Sequence, residues 1–70
     1  MKYTLWRTNA VDLQMQRANG NDSLELLEAL AVKKSALYPK LTYWIYEELG
    51  SGRGLRKMFR DGKEIIRSEV

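Results

Sequence analysis

The segment Leu-Thr-Tyr-Trp-Ile-Tyr-Glu-Glu-Leu-Gly-Ser-Gly-Arg-Gly-Leu-Arg-Lys-Met-Phe-Arg, residues 41–60, decides how the chain folds. It runs from an aromatic stretch through alternating glycines into an arginine-rich stretch. Tyr43, Trp44, Ile45 and Tyr46 are consecutive β-formers, which favours a strand over residues 41–47. The spacing of Leu41, Ile45 and Leu49, closed by Gly50, would also suit a short helix, but the run of β-formers outweighs it. Leu55 to Arg60 then reads as a second strand. Asp61-Gly62 is a two-residue hairpin signal, after which residues 63–67 pair back.

Upstream, Asp22 and Ser23 are good helix N-caps, and Leu24 to Leu37 is rich in leucine, alanine, glutamate and lysine. At 100° per residue Leu26, Leu27, Leu30, Ala31 and Leu37 share one broad face, with Glu25, Glu28 and Ser35 turned away from it. Acids early and Lys33 and Lys34 late suit the helix dipole. Pro39 disfavours helical geometry at Tyr38, so the helix should stop there or before. Residues 2–7 and 11–17 read as a hairpin. Val11, Leu13 and Met15 alternate strictly with polar residues, Thr8-Asn9-Ala10 supplies the turn, and Asn19-Gly20-Asn21 ends the second strand. The expected fold is a single α+β domain over residues 1–70, of ββαββ order, with one helix on one face of a mainly antiparallel sheet.

Seventy residues with no cysteine and no histidine leave little to reinforce a small core. A zinc site would have to use carboxylates alone, so no cofactor or metal is expected. The composition, 44% hydrophobic and 30% charged, is that of a globular domain rather than a disordered tail. No stretch approaches the length of a membrane span, and the first residues lack an apolar leader run, so a soluble, cytoplasmic chain is the default. The net charge of +3 is segregated: +2 over residues 1–20, −2 over residues 21–50 and +3 over residues 51–70. Such asymmetry can steer an acidic partner, and it is also what a solvated basic face looks like.

The glycine-rich segment Gly50-Ser51-Gly52-Arg53-Gly54 invites comparison with phosphate-binding loops. No Lys-Ser or Lys-Thr follows it, and its spacing is wrong for a dinucleotide fingerprint. It reads as a hairpin tip. Catalysis has little support: Glu47 and Glu48 point to opposite faces of a strand, and Ser51 and Ser68 have no histidine to activate them.

The stronger signal is an excess of rings. Tyr3, Trp6, Tyr43, Trp44, Tyr46 and Phe59 are more than one helix can cover, and adjacent Tyr43 and Trp44 must point to opposite faces of their strand. With Phe59 in the core, Arg56 and Arg60 would point outward. Tyrosine, tryptophan and arginine are the residues of interface hot spots. The expectation is therefore a non-enzymatic protein-binding module that meets an acidic protein surface through Trp44, Tyr46, Arg53, Arg56 and Arg60, with a homodimer as a further expectation. The rival is a small nucleic-acid-binding protein, using the basic hairpin or, were residues 41–49 helical, a helix-turn-helix arrangement.

Overall fold

A computed structural model describes residues 2–9 and 14–65. Among these residues five strands and one helix follow in the order β1 (Tyr3–Asn9), β2 (Gln16–Asn21), α1 (Leu24–Leu37), β3 (Leu41–Glu48), β4 (Arg53–Arg60) and β5 (Lys63–Glu64). The strands form one antiparallel sheet in the spatial order β2-β1-β3-β4-β5. This is the α+β architecture expected, with α1 against one face of the sheet. Because β2 and β3 both run antiparallel to β1, they run parallel to each other. Parallel strands cannot be joined by a tight turn, and α1 supplies the crossover. No helix among the described residues is long and apolar enough to cross a membrane.

The ambiguous segment is a strand because it is the central strand of the sheet, paired on both sides. Seven residues of β1 pair along β3, from Tyr3↔Glu47 to Asn9↔Leu41, and β4 closes the other side. A helix there would leave two ladders of backbone groups unpaired. The glycines form the tip expected of them: Leu49 N–H donates to the Gly52 carbonyl at 2.8 Å. At the other end Asp61 and Gly62 take φ of 54° and 75°, the positive pair that a two-residue hairpin of matching twist requires.

The first hairpin differs from the sequence reading. β1 runs on through Thr8 and Asn9, because its partner β3 is long enough to keep pairing it. Asn19, Gly20 and Asn21 do not end the second strand but belong to it, opposite Leu5, Thr4 and Tyr3. The pairing shifts between Leu5 and Trp6, leaving Ala18 as an extra residue. As an edge strand β2 needs only one ladder, so turn-forming residues are tolerated in it. Asn21 Oδ1 also accepts the Ser23 amide at 2.9 Å, leading the chain into the helix. Residues 11–13, part of the expected second strand, and residues 66–67, part of the expected last strand, lie outside the described residues.

The helix has the expected limits. Ser23 caps it, its hydroxyl accepting from Leu26 N–H, and Tyr38 ends it with its amide on the Lys34 carbonyl. Its buried face is rotated from the one expected. Leu27, Ala31 and Ser35 are buried, whereas Leu26 and Leu37 are 59% and 63% exposed. The rotation follows from the hairpin turn beneath: Ser35 Oγ accepts the Gly62 amide at 3.0 Å and donates to the Val32 carbonyl at 3.2 Å. A β-carbon on Gly62 would stand 3.2 Å from that of Ala36, so turn and helix are in close contact. A buried serine with both capacities used is a spacer that fixes the helix over the β4–β5 turn. Ser35→Ala should orphan the Gly62 amide at a cost of about 1–3 kcal/mol. In a domain this small that lowers Tm by roughly 5–20 °C, readable by thermal unfolding.

Between helix and sheet the core consists of Leu5, Leu27, Ala31, Tyr43, Ile45 and Phe59, with Tyr3, Leu24, Leu30 and Leu41 packed around it. Lys57, opposite Ile45, closes one margin by pairing with Glu28 on α1 and, at 3.6 Å, with Glu64 on β5. The hydrogen bond that its ammonium donates to the Glu28 carboxylate raises the lysine's pKa. Tyr43 is fully buried, and among the described residues its hydroxyl has no hydrogen-bond partner. Burial raises its pKa above the ordinary 10.0, although the nearby Arg7 guanidinium pulls the other way. A phenol kept neutral by the fold contributes stability that is complete below its unfolded pKa and is lost as pH rises through the folded value. Tyr43→Phe should therefore shift the alkaline unfolding midpoint upward while changing stability at pH 7 by less than about 1 kcal/mol. Denaturant titrations across pH read both, and an unmoved alkaline limb would assign it to the Lys57 ion pairs instead.

Candidate interaction face of the sheet

Strand alternation sends Leu5, Tyr43, Ile45 and Phe59 toward α1, and so sends their neighbours to the opposite face. Among the described residues no helix or strand packs on that face. Cross-strand pairing sets two rows of side chains on it. Arg17, Trp6, Trp44 and Met58 stand opposite one another across β2, β1, β3 and β4, and Gly20, Thr4, Tyr46 and Leu55 form the next row. Ile65, 39% exposed, continues the first row, its amide donating to the Met58 carbonyl at 2.8 Å.

Hydrogen bonds hold the rings in place. Trp6 Nε1 donates to Thr4 Oγ1 at 2.8 Å, and the same hydroxyl donates to Glu48 Oε2 at 2.8 Å. Trp44 Nε1 donates to Thr8 Oγ1 at 2.9 Å. The Tyr46 hydroxyl meets Met15 Sδ at 4.0 Å. Thr4, although on the face away from the helix, is only 3% exposed, so these side chains pack over the strand rather than standing free. Both tryptophans and Tyr46 are half-buried.

Arg53 joins them. Its guanidinium lies 4.3 Å from the Trp6 ring centre and 5.1 Å from that of Tyr46, within cation–π range of both. A guanidinium stacked on rings keeps its in-plane N–H groups available, so it can still grip a carboxylate with two parallel bonds. Among the described residues Arg53 makes no ion pair, and its side chain is exposed.

Of the five residues expected from sequence, Trp44, Tyr46 and Arg53 come together here. Arg60 shares the face through its alternation with Met58, but it lies at the β4–β5 end of its strand. Arg56 does not join them. The pairing shifts from Ile45↔Lys57 to Tyr46↔Leu55, so Arg56 is the extra residue of a bulge. It turns to Glu47 at 3.6 Å, a residue that shares the alternation of Tyr43 and Ile45. Simple alternation put Arg56 beside Arg60; the bulge breaks it, and restores outward pointing to Leu55 and Arg53. Sequence reasoning also passed over Trp6 as a site residue. Its signal was available, since Trp6 alternates with the core residue Leu5 exactly as far out of phase as Trp44 does with Ile45.

Among the described residues the carboxylate on this face is Glu48, exposed and engaged by Thr4, and no three potential metal ligands cluster. No family model, curated protein or solved structure matches the chain. The face must be read from its own chemistry.

Proposed function

We propose that this chain is a cytoplasmic, non-enzymatic interaction module whose uncovered sheet face binds an acidic protein surface. One observation carries the reading: Trp6, Trp44 and Tyr46 lie together on the face turned from the helix, with Arg53 stacked on two of the rings. Ordered, half-buried aromatics lose little conformational freedom on binding and supply most of the contact area of an interface core. Arg53 and Arg60 against Glu48 make the face basic, which favours a partner rich in aspartate and glutamate and speeds encounter with it. The same surplus opposes pairing of this face with a second copy of itself.

The rival reading, nucleic-acid binding, has a specific point in its favour, since rings on the two central strands beside arginines suit stacking of unpaired bases. Against it, Arg53 already occupies a ring face of both Trp6 and Tyr46. One experiment separates the two. Peptides selected on the protein from a random library should be enriched in acidic and apolar residues and should lose binding to Trp44→Ala. Mixed single-stranded DNA and RNA should bind weakly or not at all. Tight nucleic-acid binding that falls steeply with salt and disappears in Arg53→Glu/Arg60→Glu would replace the proposal with its rival.

A further inference from the structure

Asn19-Gly20 is a dipeptide that turns usually claim, yet here it stands extended at the edge of the sheet. The pairing fixes which way its amides point. Glu48 N–H donates to the Lys2 carbonyl at 2.8 Å, so that carbonyl faces β3, and the Tyr3 N–H on the same peptide plane faces the other way, toward β2. By alternation Tyr3 and Leu5 both direct their backbone groups to β2. Their partners Asn21 and Asn19 therefore bond to β1, and Gly20 between them presents its N–H to the open edge. There the amide meets the preceding side chain: Gly20 N–H donates to Asn19 Oδ1 at 2.7 Å. Asn19 is exposed, and among the described residues no strand lies beyond β2.

We propose that Asn19 is a site of spontaneous covalent modification, deamidation through a succinimide. The Gly20 nitrogen gives up its proton to base and attacks Cγ of Asn19. A C–N bond forms, the side-chain nitrogen leaves as ammonia, and a five-membered ring closes. Solvent water then opens the ring at either carbonyl, giving aspartate or isoaspartate, with no oxidant or reductant involved. The edge favours the first step in three ways. The hydrogen bond already sets the nitrogen beside the carbonyl it attacks, and rotation about Cβ–Cγ turns the face of that carbonyl toward it. Glycine has no β-carbon to obstruct the approach. The ring also needs a turn of the Asn19 ψ angle, which local opening of a strand held by a single ladder and ending at Asn21 supplies.

Two other asparagines lack this arrangement. Asn21 is followed by Asp22 and directs its Oδ1 to the Ser23 amide, and Asn9 is followed by Ala10. A β-carbon on the attacking residue hinders both. At Asn19 the two products differ in their effect on the fold. Isoaspartate carries the main chain through the former side chain and so lengthens it between Asn19 and Gly20. The end of β2 then slides against Thr4 and Tyr3, and Asn21 is displaced from the helix entry that it guides. Either product takes one unit from the net charge of +3.

Peptide mass mapping of the full chain after incubation at mildly alkaline pH tests this. The tryptic fragment between Arg17 and Lys33 should gain about 1 Da, with isoaspartate at position 19 the major product. The rate in native buffer should lie within about tenfold of the rate in urea, because the edge leaves the site open to reaction. Asn19→Gln, a change at an exposed position, should abolish the reaction, and Gly20→Ala should slow it by an order of magnitude. The isoaspartyl form should melt at a lower temperature than Asn19→Asp, which carries the same charge on an unaltered backbone. A native chain protected by more than that tenfold margin overturns the proposal, as does a chain that loses ammonia first at Asn9 or Asn21. An isoaspartyl form that melts together with Asn19→Asp overturns the consequence drawn for β2.

Discussion

Ile45→Ala should strongly destabilise the fold. Ile45 sits on β3, the central strand of the sheet, opposite Leu5 on β1 and Lys57 on β4, and none of its surface is exposed. Removing three carbons from such a site costs about 2–5 kcal/mol, through lost burial and the cavity left behind. A domain of 70 residues has roughly 4–10 kcal/mol of stability in all. The change therefore removes on the order of half of it, and urea titration followed by tryptophan fluorescence should show the midpoint falling accordingly. Leu26→Ala is the matched control, because it deletes a similar volume from a residue that is 59% exposed. Measured where the chain is monomeric, it should cost less than about 0.5 kcal/mol. The reverse ranking would mean that the helix packs through the face expected from composition rather than the rotated one.

Trp44→Ala should have the largest effect on binding. Trp44 is the middle of its row, between Trp6 and Met58, and central aromatic anchors typically cost 2 kcal/mol or more when truncated, about 30-fold in affinity. Arg53→Ala should cost less, because it removes a charge-assisted contact and frees two ring faces. Arg60→Ala, at the end of β4, should act mainly on the association rate and its salt dependence. Arg56→Ala should be close to neutral, since that side chain is 51% exposed and turned to Glu47. Isothermal titration with one selected acidic peptide gives the four affinities, and stopped-flow mixing at low and high salt reads the association rate of Arg60→Ala. Equal losses from Arg56→Ala and Trp44→Ala would put the contact on a different surface, and circular dichroism distinguishes lost binding from lost fold. Trp44 donates to Thr8, so some loss of stability accompanies its removal, but the core residues beneath it lie on the other side of the sheet.

Much of this was legible locally. The helix limits follow from a capping serine and a proline, the β4–β5 turn from Asp61-Gly62, and the opposite fates of Tyr43 and Trp44 from alternation alone. What was misread shares one cause, which is that pairing partners override local preference. Asn19-Gly20-Asn21 has every local reason to turn, yet it extends because β1 offers a ladder. Arg56 should alternate with Phe59, yet one extra residue opposite β3 sends it to Glu47. Leucine spacing could not choose the helix's buried side, since leucines or alanines lie most of the way round it. The close approach of Ser35 and Ala36 to the hairpin turn decides that orientation.

By itself, then, the sequence determined the element types and the existence of more aromatic surface than one helix can cover. These depend on backbone preference and period, which neighbouring residues set. Which arginine stacks on the rings, that Trp6 belongs with Trp44 and Tyr46, and which side of the helix is left bare were decided only in the tertiary structure. The first two depend on the register between strands, where a one-residue shift exchanges one face of a strand for the other; the third depends on where the β4–β5 turn meets Ser35 and Ala36 of the helix.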